Sequence, residues 1–338
     1  MRFWIDNQIK YLQNYGGISQ VFDDLEISLG YFKPVKQFYF VKTGIILVDL
    51  LYYYNVSFFS LFFIRKGDIV LYSYYLPSFT LLRSDLMKIM WLHDLTFEEL
   101  VDKSLKLKVL LLSKRLVLQR SDKIICISEA TKLMAIKYYP NLTSKFVVIH
   151  NSVPSHLTTG SVTSGDRSGF LFVGKRSGYK NFHGLLEFLA QTKLTQRLIC
   201  FGGGEFNSIE INKLKKLGFE ENVSWVDPRT HDLGALYRSS KCLLIPSLRE
   251  GFGLTVLEAF KNGCPVVSFG DQAIKEVGGA AILELSPSSP ELAERAVADY
   301  LNSVNENALN RRASSFKGIW QALSLISVVR HELEKRKY

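Results

Sequence analysis

The chain has 338 residues, 47% hydrophobic and 22% charged, which excludes a disordered or fibrous protein and allows two domains, each with its own core. Its 42 Lys and Arg against 32 Asp and Glu give a net charge of +10 and favour an anionic partner; without a dense basic block or a nucleic-acid module signature, nucleic acid is set aside. Four cysteines, Cys126, Cys200, Cys242 and Cys264, are scattered without a CxxC pair and are read as reduced thiols in a cytoplasmic protein.

The opening "MRFWIDNQIK" lacks the basic-then-apolar layout of a signal peptide, and its "RFWID" reads as a short strand. In "NYGGISQVFDDLEISL" a Gly turn feeds a helix, with Ile18, Val21, Phe22, Leu25 and Leu29 at helical spacing. The run from Gly44 to Ile64, "GIILVDLLYYYNVSFFSLFFI", is long enough to span a bilayer. Asp49 and Asn55 inside it make a span costly. The preferred reading is a strand plus a buried helix, with a membrane-touching face as the alternative. "DIVLYSY" and "KIMWLHD" read as strands. Val101 to Lys123 is a basic helical stretch, with seven Lys/Arg against two Asp. It is either a solvated helix packed by its leucines or a face for an anionic lipid surface. "KIICIS" is a buried strand, and a helix follows Ser128.

Val153 to Ser168, rich in Ser, Thr and Gly, carries the clearest linker signal. Beyond it, strands "GFLFVG", "RLICFG", "NVSWV", "CLLIP" and "PVVSF" alternate with helices, the pattern of a parallel α/β sheet covered on both faces. Ligands of such sheets sit beyond the carboxyl ends of the strands.

At that edge lies "EGFGLTVLEAFKNGCPVV". Glu250 follows a buried strand, Gly251 and Gly253 let backbone approach a ligand, and the helix starting near Leu254 offers unpaired N–H groups that suit phosphate. Glu258, one turn in, is suited to a sugar diol. The bland alternative is a turn with a solvent-facing Glu and an ordinary helix Glu.

This segment resembles the E-x7-E segment of retaining GT-B glycosyltransferases of the family-four, group 1, type. The resemblance spans nearly the whole chain, is strong from Gly169 to Phe269 and weak from Leu29 to Lys66. It implies two Rossmann-like domains facing across a cleft. Residues 1–155 would bind the acceptor, with a closing helix over 315–338 crossing back to them; residues 156–314 would bind a nucleotide sugar. It implies that Glu250 contacts the transferred sugar and Glu258 the ribose. Gly251, Phe252, Gly253, Leu254 and Thr255 would line the donor. In "FVGKRSGYKNFHGLLEF", Gly174 precedes Arg176 and Lys180, which hold the positions of a basic pair clamping the donor diphosphate; such cations stabilise a leaving diphosphate more in the transition state than in the ground state. Gly16 and Gly17 match a glycine-rich turn facing the phosphates. Gly203, in "FGGGE", and Val226, near the base, complete the donor set. His93, after "KIMWL", would support the sugar; Asp94 is equally suited to a helix N-cap. Phe316 and Trp320 hold aromatic positions of the closing helix.

The activity so implied is transfer of a hexose from a UDP- or GDP-sugar to an oligosaccharide or lipid-linked acceptor in surface-polysaccharide assembly. No cofactor or metal is expected, since no DxD motif occurs. The protein would be cytoplasmic, with an anionic membrane surface as a further partner. An epimerase or phosphorylase of the same fold, or a non-catalytic nucleotide-sugar scaffold, are the rival readings.

Overall fold

A computed structural model describes residues 2–8, 17–38, 46–99, 104–154, 167–192, 194 and 196–336. Gly16 and most of the Val153–Ser168 linker lie outside the described residues. The chain forms two compact units, Met1–Pro154 with Phe316–Tyr338, and Ser155–Ser315.

The first unit carries strands β1 (Phe3–Ile5), β2 (Val35–Gln37), β3 (Ile69–Tyr72), β4 (Met87–Leu92), β5 (Lys123–Cys126) and β6 (Phe146–Val148). They pair in parallel in the order β2-β1-β3-β4-β5-β6. Every residue of β3 and β4 is buried, as a sheet covered on both faces requires. Its helices are α1 (Gly17–Gly30), α2 (Ile46–Ser60), α3 (Thr96–Glu99), α4 (Leu105–Arg120) and α5 (Glu129–Tyr138). In α1, Val21, Phe22, Leu25 and Leu29 form the buried stripe that their spacing predicts. Ser128 caps α5, its hydroxyl accepting from the Thr131 N–H at 2.9 Å. The last helix of the chain, α13 (Gly318–Lys335), also belongs to this unit and packs on α1. Val153 and Phe316 are joined by a backbone hydrogen bond of 2.8 Å. Phe316 is buried edge-on to His150, whereas Trp320 is exposed.

The second unit carries β7 (Phe170–Val173), β8 (Leu198–Phe201), β9 (Val223–Val226), β10 (Cys242–Ile245), β11 (Val266–Ser268) and β12 (Ile282–Glu284), also parallel, in the order β12-β11-β10-β7-β8-β9. Between them run α6 (Phe182–Ala190), α7 (Ser208–Leu217), α8 (Leu233–Ser239), α9 (Leu254–Lys261) and α10 (Gln272–Gly278); α11 (Ala293–Ser303) and α12 (Glu306–Ser314) follow. Phe170, Phe172, Leu185, Phe188, Leu198, Leu244 and Val267 form part of its core. The four cysteines are buried free thiols. Burial pushes the thiols of Cys126, Cys200 and Cys264 up to about 12.

Two expectations are corrected. Residues 46–60 form one helix, and much of its surface is open: Leu51, Phe58 and Phe59 are exposed, as are Phe62 and Phe63 beyond its end. Among its described residues the basic stretch is helical over Leu105–Arg120, and Lys123 starts β5.

Strand order reverses direction between β7 and β10 in the second unit, and between β1 and β3 in the first. At such switch points neighbouring loops leave the sheet toward opposite faces and open a crevice at the carboxyl edge.

Candidate active site

Residues leaving β7 and β10 meet at the second unit's switch point. After Val173 the chain turns at Gly174, and a 3-10 turn, Gly178–Lys180, leads to Asn181, held at φ +53°. The Asn181 amide donates to the Pro246 carbonyl at 3.1 Å, and the Leu248 N–H to the Tyr179 carbonyl at 2.8 Å. These bonds tie the two loops together. Lys180 Nζ then lies 2.6 Å from Glu250 Oε1. Two groups singled out in separate motifs thus form one ion pair.

Glu250 is held from behind. Its N–H donates to Asp271 Oδ2 at 3.1 Å, while Asp271 Oδ1 caps α10 by accepting from Ala273 N and Ile274 N at 2.9 and 3.0 Å. Burial raises the Asp271 carboxyl above the usual range, against the pull of those N–H groups. Asp271 was not singled out in the sequence; its signal is an N-cap residue at the exit of "PVVSF".

Gly253 starts α9 at φ +103°, and a Cβ there would stand 2.6 Å from Ile274 Cδ1. Phe252 is buried, Gly251, Leu254 and Thr255 are half-buried, and Leu254 and Thr255 form the first turn of α9. Glu258 points inward. Its Oε2 accepts from the buried Tyr237 hydroxyl at 3.0 Å, and burial raises its pKa while Tyr237 and the charge of Lys180 lower it. Tyr237 is a partner that sequence spacing did not disclose.

Arg176 departs from the expectation of a diphosphate clamp. It is buried, and its guanidinium is already engaged: Nε to Glu210 Oε1 at 2.9 Å, Nη1 to the Gly202 carbonyl at 2.7 Å, and Nη2 to the Gly204 and Glu205 carbonyls at 2.7 and 2.9 Å. Gly203 lies under it, and a Cβ there would come within 3.0 Å of Nη1. Glu210 also closes the capping box of α7 with Asn207. Arg176 therefore shapes the Gly202–Glu205 loop. The exposed cation next to Gly174 is Lys175, which sequence reasoning passed over. Val226 ends β9 half-buried beside Asp227, whose carboxylate is tied to Arg229.

In the first unit, Gly17 begins α1. Asp94 Oδ1 accepts from the Thr96 N–H at 3.0 Å, just ahead of α3. His93, buried after β4, has Nε2 3.0 Å from the Ser73 carbonyl, which makes Nε2 the protonated nitrogen; Nδ1 has no partner among the described residues. Burial pushes its pKa down to about 4. Across the switch point Asp6 Oδ1 accepts from Ser73 N and Oγ at 2.8 and 2.7 Å, while Oδ2 is buried without a partner among the described residues. Burial pushes Asp6 up to about 7. Asn7 sits at φ +48°, its own Oδ1 unpartnered among the described residues. Neither Asp6 nor Asn7 was singled out in the sequence; the available signal was an acid directly after a short apolar strand.

Residues 161–314 match the model of the glycosyl transferases group 1. An uncharacterized glycosyltransferase of Haemophilus influenzae is 32% identical over 161 residues, 47% of this chain and 44% of that protein. The O-antigen chain mannosyltransferase B of Escherichia coli is 29% identical over 160 residues, 45% of this chain and 40% of that protein. The chain thus spans less than half the length of these curated relatives. Among solved structures, Anabaena Alr3699/HepE in complex with UDP and glucose superposes with a TM-score of 0.69 at 17% identity, covering 97% of this chain and 98% of that one. Over residues 161–314 the chain is thus similar to the glycosyl transferases group 1, and its two-sheet α/β architecture is that of the GT-B glycosyltransferases.

Proposed function

We propose that this chain is a retaining glycosyltransferase that moves a hexose from a nucleotide diphosphate sugar to a saccharide or lipid-linked acceptor in surface-polysaccharide assembly, working at an anionic membrane surface. The observation that carries this reading is the Lys180–Glu250 ion pair at the second unit's switch point, with Glu258 one helical turn further on. Sugar, diphosphate and ribose follow one another in a nucleotide sugar, as Glu250, the α9 mouth and Glu258 do along the chain. The O-antigen role named for the mannosyltransferase and the UDP and glucose held by the Anabaena protein support the class of pathway and donor.

In the proposed reaction the bond between the sugar's anomeric carbon and the β-phosphate oxygen breaks. A bond from the acceptor oxygen forms on the same face, and the acceptor's proton passes to the departing phosphate. Lys180 exchanges Glu250 for the growing phosphate charge, helped by Lys175 and the N–H groups opening α9. Glu250, released, orients the sugar hydroxyls. Glu258, aligned by Tyr237, accepts from the ribose diol. Arg176 acts by holding the Gly202–Glu205 loop. His93 offers Nδ1 as an acceptor for a sugar hydroxyl. Protein cations replace a metal in this scheme, so turnover should survive EDTA.

Thermal shift with UDP, GDP and dTDP tests the donor assignment, because a bound nucleotide raises the melting temperature. Transfer with the best donor, with retention at the anomeric carbon, supports the reading. Epimerisation of the donor without any acceptor overturns it.

A further inference from the structure

The first unit exposes an apolar face that the chemistry above does not use. On α2 and the turn after it, Phe62 is 73% exposed, Phe63 66%, Leu51 65% and Phe59 58%. Phe58 packs edge-on to Phe59, Phe62 and Phe79, so the rings form one patch. The patch continues through a groove of about 270 Å³ lined by Tyr54, Pro77, Phe79, Leu82, Leu116 and Arg120, which joins α2 to α4. On α4, Leu105, Val109 and Leu112 are exposed as well. An exposed apolar area of this kind marks a docking surface.

Charge selects the occupant. Between Ile46 and Lys66 the one carboxylate is Asp49, which is buried, and α4 contains neither Asp nor Glu. Asp85, on the adjoining turn, is bound by Arg83 at 2.5 Å. Exposed Arg65 and Lys66 follow the phenylalanines, and exposed Lys106, Lys108, Arg115 and Arg120 accompany the α4 leucines. Rings and leucines edged by cations and, among the described residues, without unpaired carboxylates fit the boundary between anionic headgroups and acyl chains. Among the described residues, no helix is long and apolar enough to cross a membrane.

We propose that the α2–α4 face docks this chain on an anionic phospholipid bilayer, with Phe58, Phe59, Phe62 and Phe63 entering the interface and Arg65, Lys66 and Arg120 meeting the headgroups. It rests on the membrane-surface reading above and assigns it to α2, where the sequence placed a buried helix.

The test is flotation with vesicles of phosphatidylcholine alone or mixed with phosphatidylglycerol. The chain should float with the mixed vesicles and weakly with the neutral ones. The double variant Phe62→Ser/Phe63→Ser should lose about tenfold or more of that binding, as expected for withholding two phenyl rings from an apolar phase. Its melting temperature, its nucleotide-induced shift and its turnover with a water-soluble acceptor should stay at the parent's level. A Phe62→Trp variant should be quenched by brominated lipid. Equal binding of parent and double variant, or no binding to mixed vesicles, overturns the inference. So does sedimentation showing that Phe62 and Phe63 instead hold two copies of the chain together. If vesicles bind but no nucleotide sugar is turned over, the proposed activity fails and the docking face stands.

Discussion

Lys180 and Glu250 neutralise each other across 2.6 Å, so a donor must exchange partners within that pair. Lys180→Ala should lower kcat by about 10²–10³-fold, the loss typical of one charge-stabilising donor, with a smaller change in KM. Steady-state transfer kinetics with the donor chosen by thermal shift check this, and an unchanged kcat would remove Lys180 from the chemistry. A second residue-scale prediction concerns Asp6, whose pKa burial lifts from 3.8 to about 7. Between those values the folded chain holds a proton that the unfolded chain releases, so this group costs stability as pH rises through the window. His93, depressed from 6.5 to about 4, has the opposite slope over its own window, and the two partly cancel. The comparison of Asp6→Asn with the parent isolates Asp6. The variant's stability advantage should grow by on the order of 2 kcal/mol from about pH 5 to about pH 8, read by denaturant unfolding at both pH values. An advantage that shrinks with pH would contradict the assignment. Glu250, Lys180 and Glu258 draw notice in the sequence because each sits in a short local pattern. Arg176 was misread because its partners, Gly202, Gly204, Glu205 and Glu210, lie far along the chain, and nothing adjacent to Arg176 reveals that its donors are taken.

At the scale of elements, most strands were legible, the edge strand β9 among them, whereas the edge strands β2 and β12 were not. β3 and β10 are wholly buried apolar runs and β4 is buried and apolar but for Lys88, whereas β2 and β12 are edge strands with half-buried or exposed residues and no continuous apolar signal. The misreading of α2 has the same origin: hydropathy reports that a segment is apolar, and only the surrounding packing decides which face is covered. The strand-turn-helix unit β10–α9 was legible because glycine marks its turn. Gly253→Ala should test how tightly that unit is specified. A side chain at φ +103° with its Cβ 2.6 Å from Ile274 Cδ1 is strained whichever way Ile274 moves. We expect a loss of about 1–3 kcal/mol and weaker nucleotide binding, seen as a lower melting temperature and a smaller nucleotide-induced shift. A variant as stable as the parent would show that the turn relaxes freely.

For the molecule as a whole, the groups proposed to hold the donor's diphosphate and ribose, Lys180 and Glu258 with Tyr237, and the Glu250–Asp271 pair beside them come from the second unit, which has its own six-stranded sheet and core, while His93 belongs to the first. Residues 155–315 expressed alone should therefore fold and keep a nucleotide-induced thermal shift while losing transfer. A fragment without cooperative melting would show that its core depends on the rest of the chain. The first unit is the complement: two stretches of chain completed by α13, with Val153 bonded to Phe316 at 2.8 Å where the chain leaves and returns. Topologically the second unit is an insertion with its entry and exit stitched side by side. A gene that lost everything between those points and gained a few codons of linker would still encode a closed first unit. One that exchanged the insert for a relative's would carry over a whole binding cassette through a single seam.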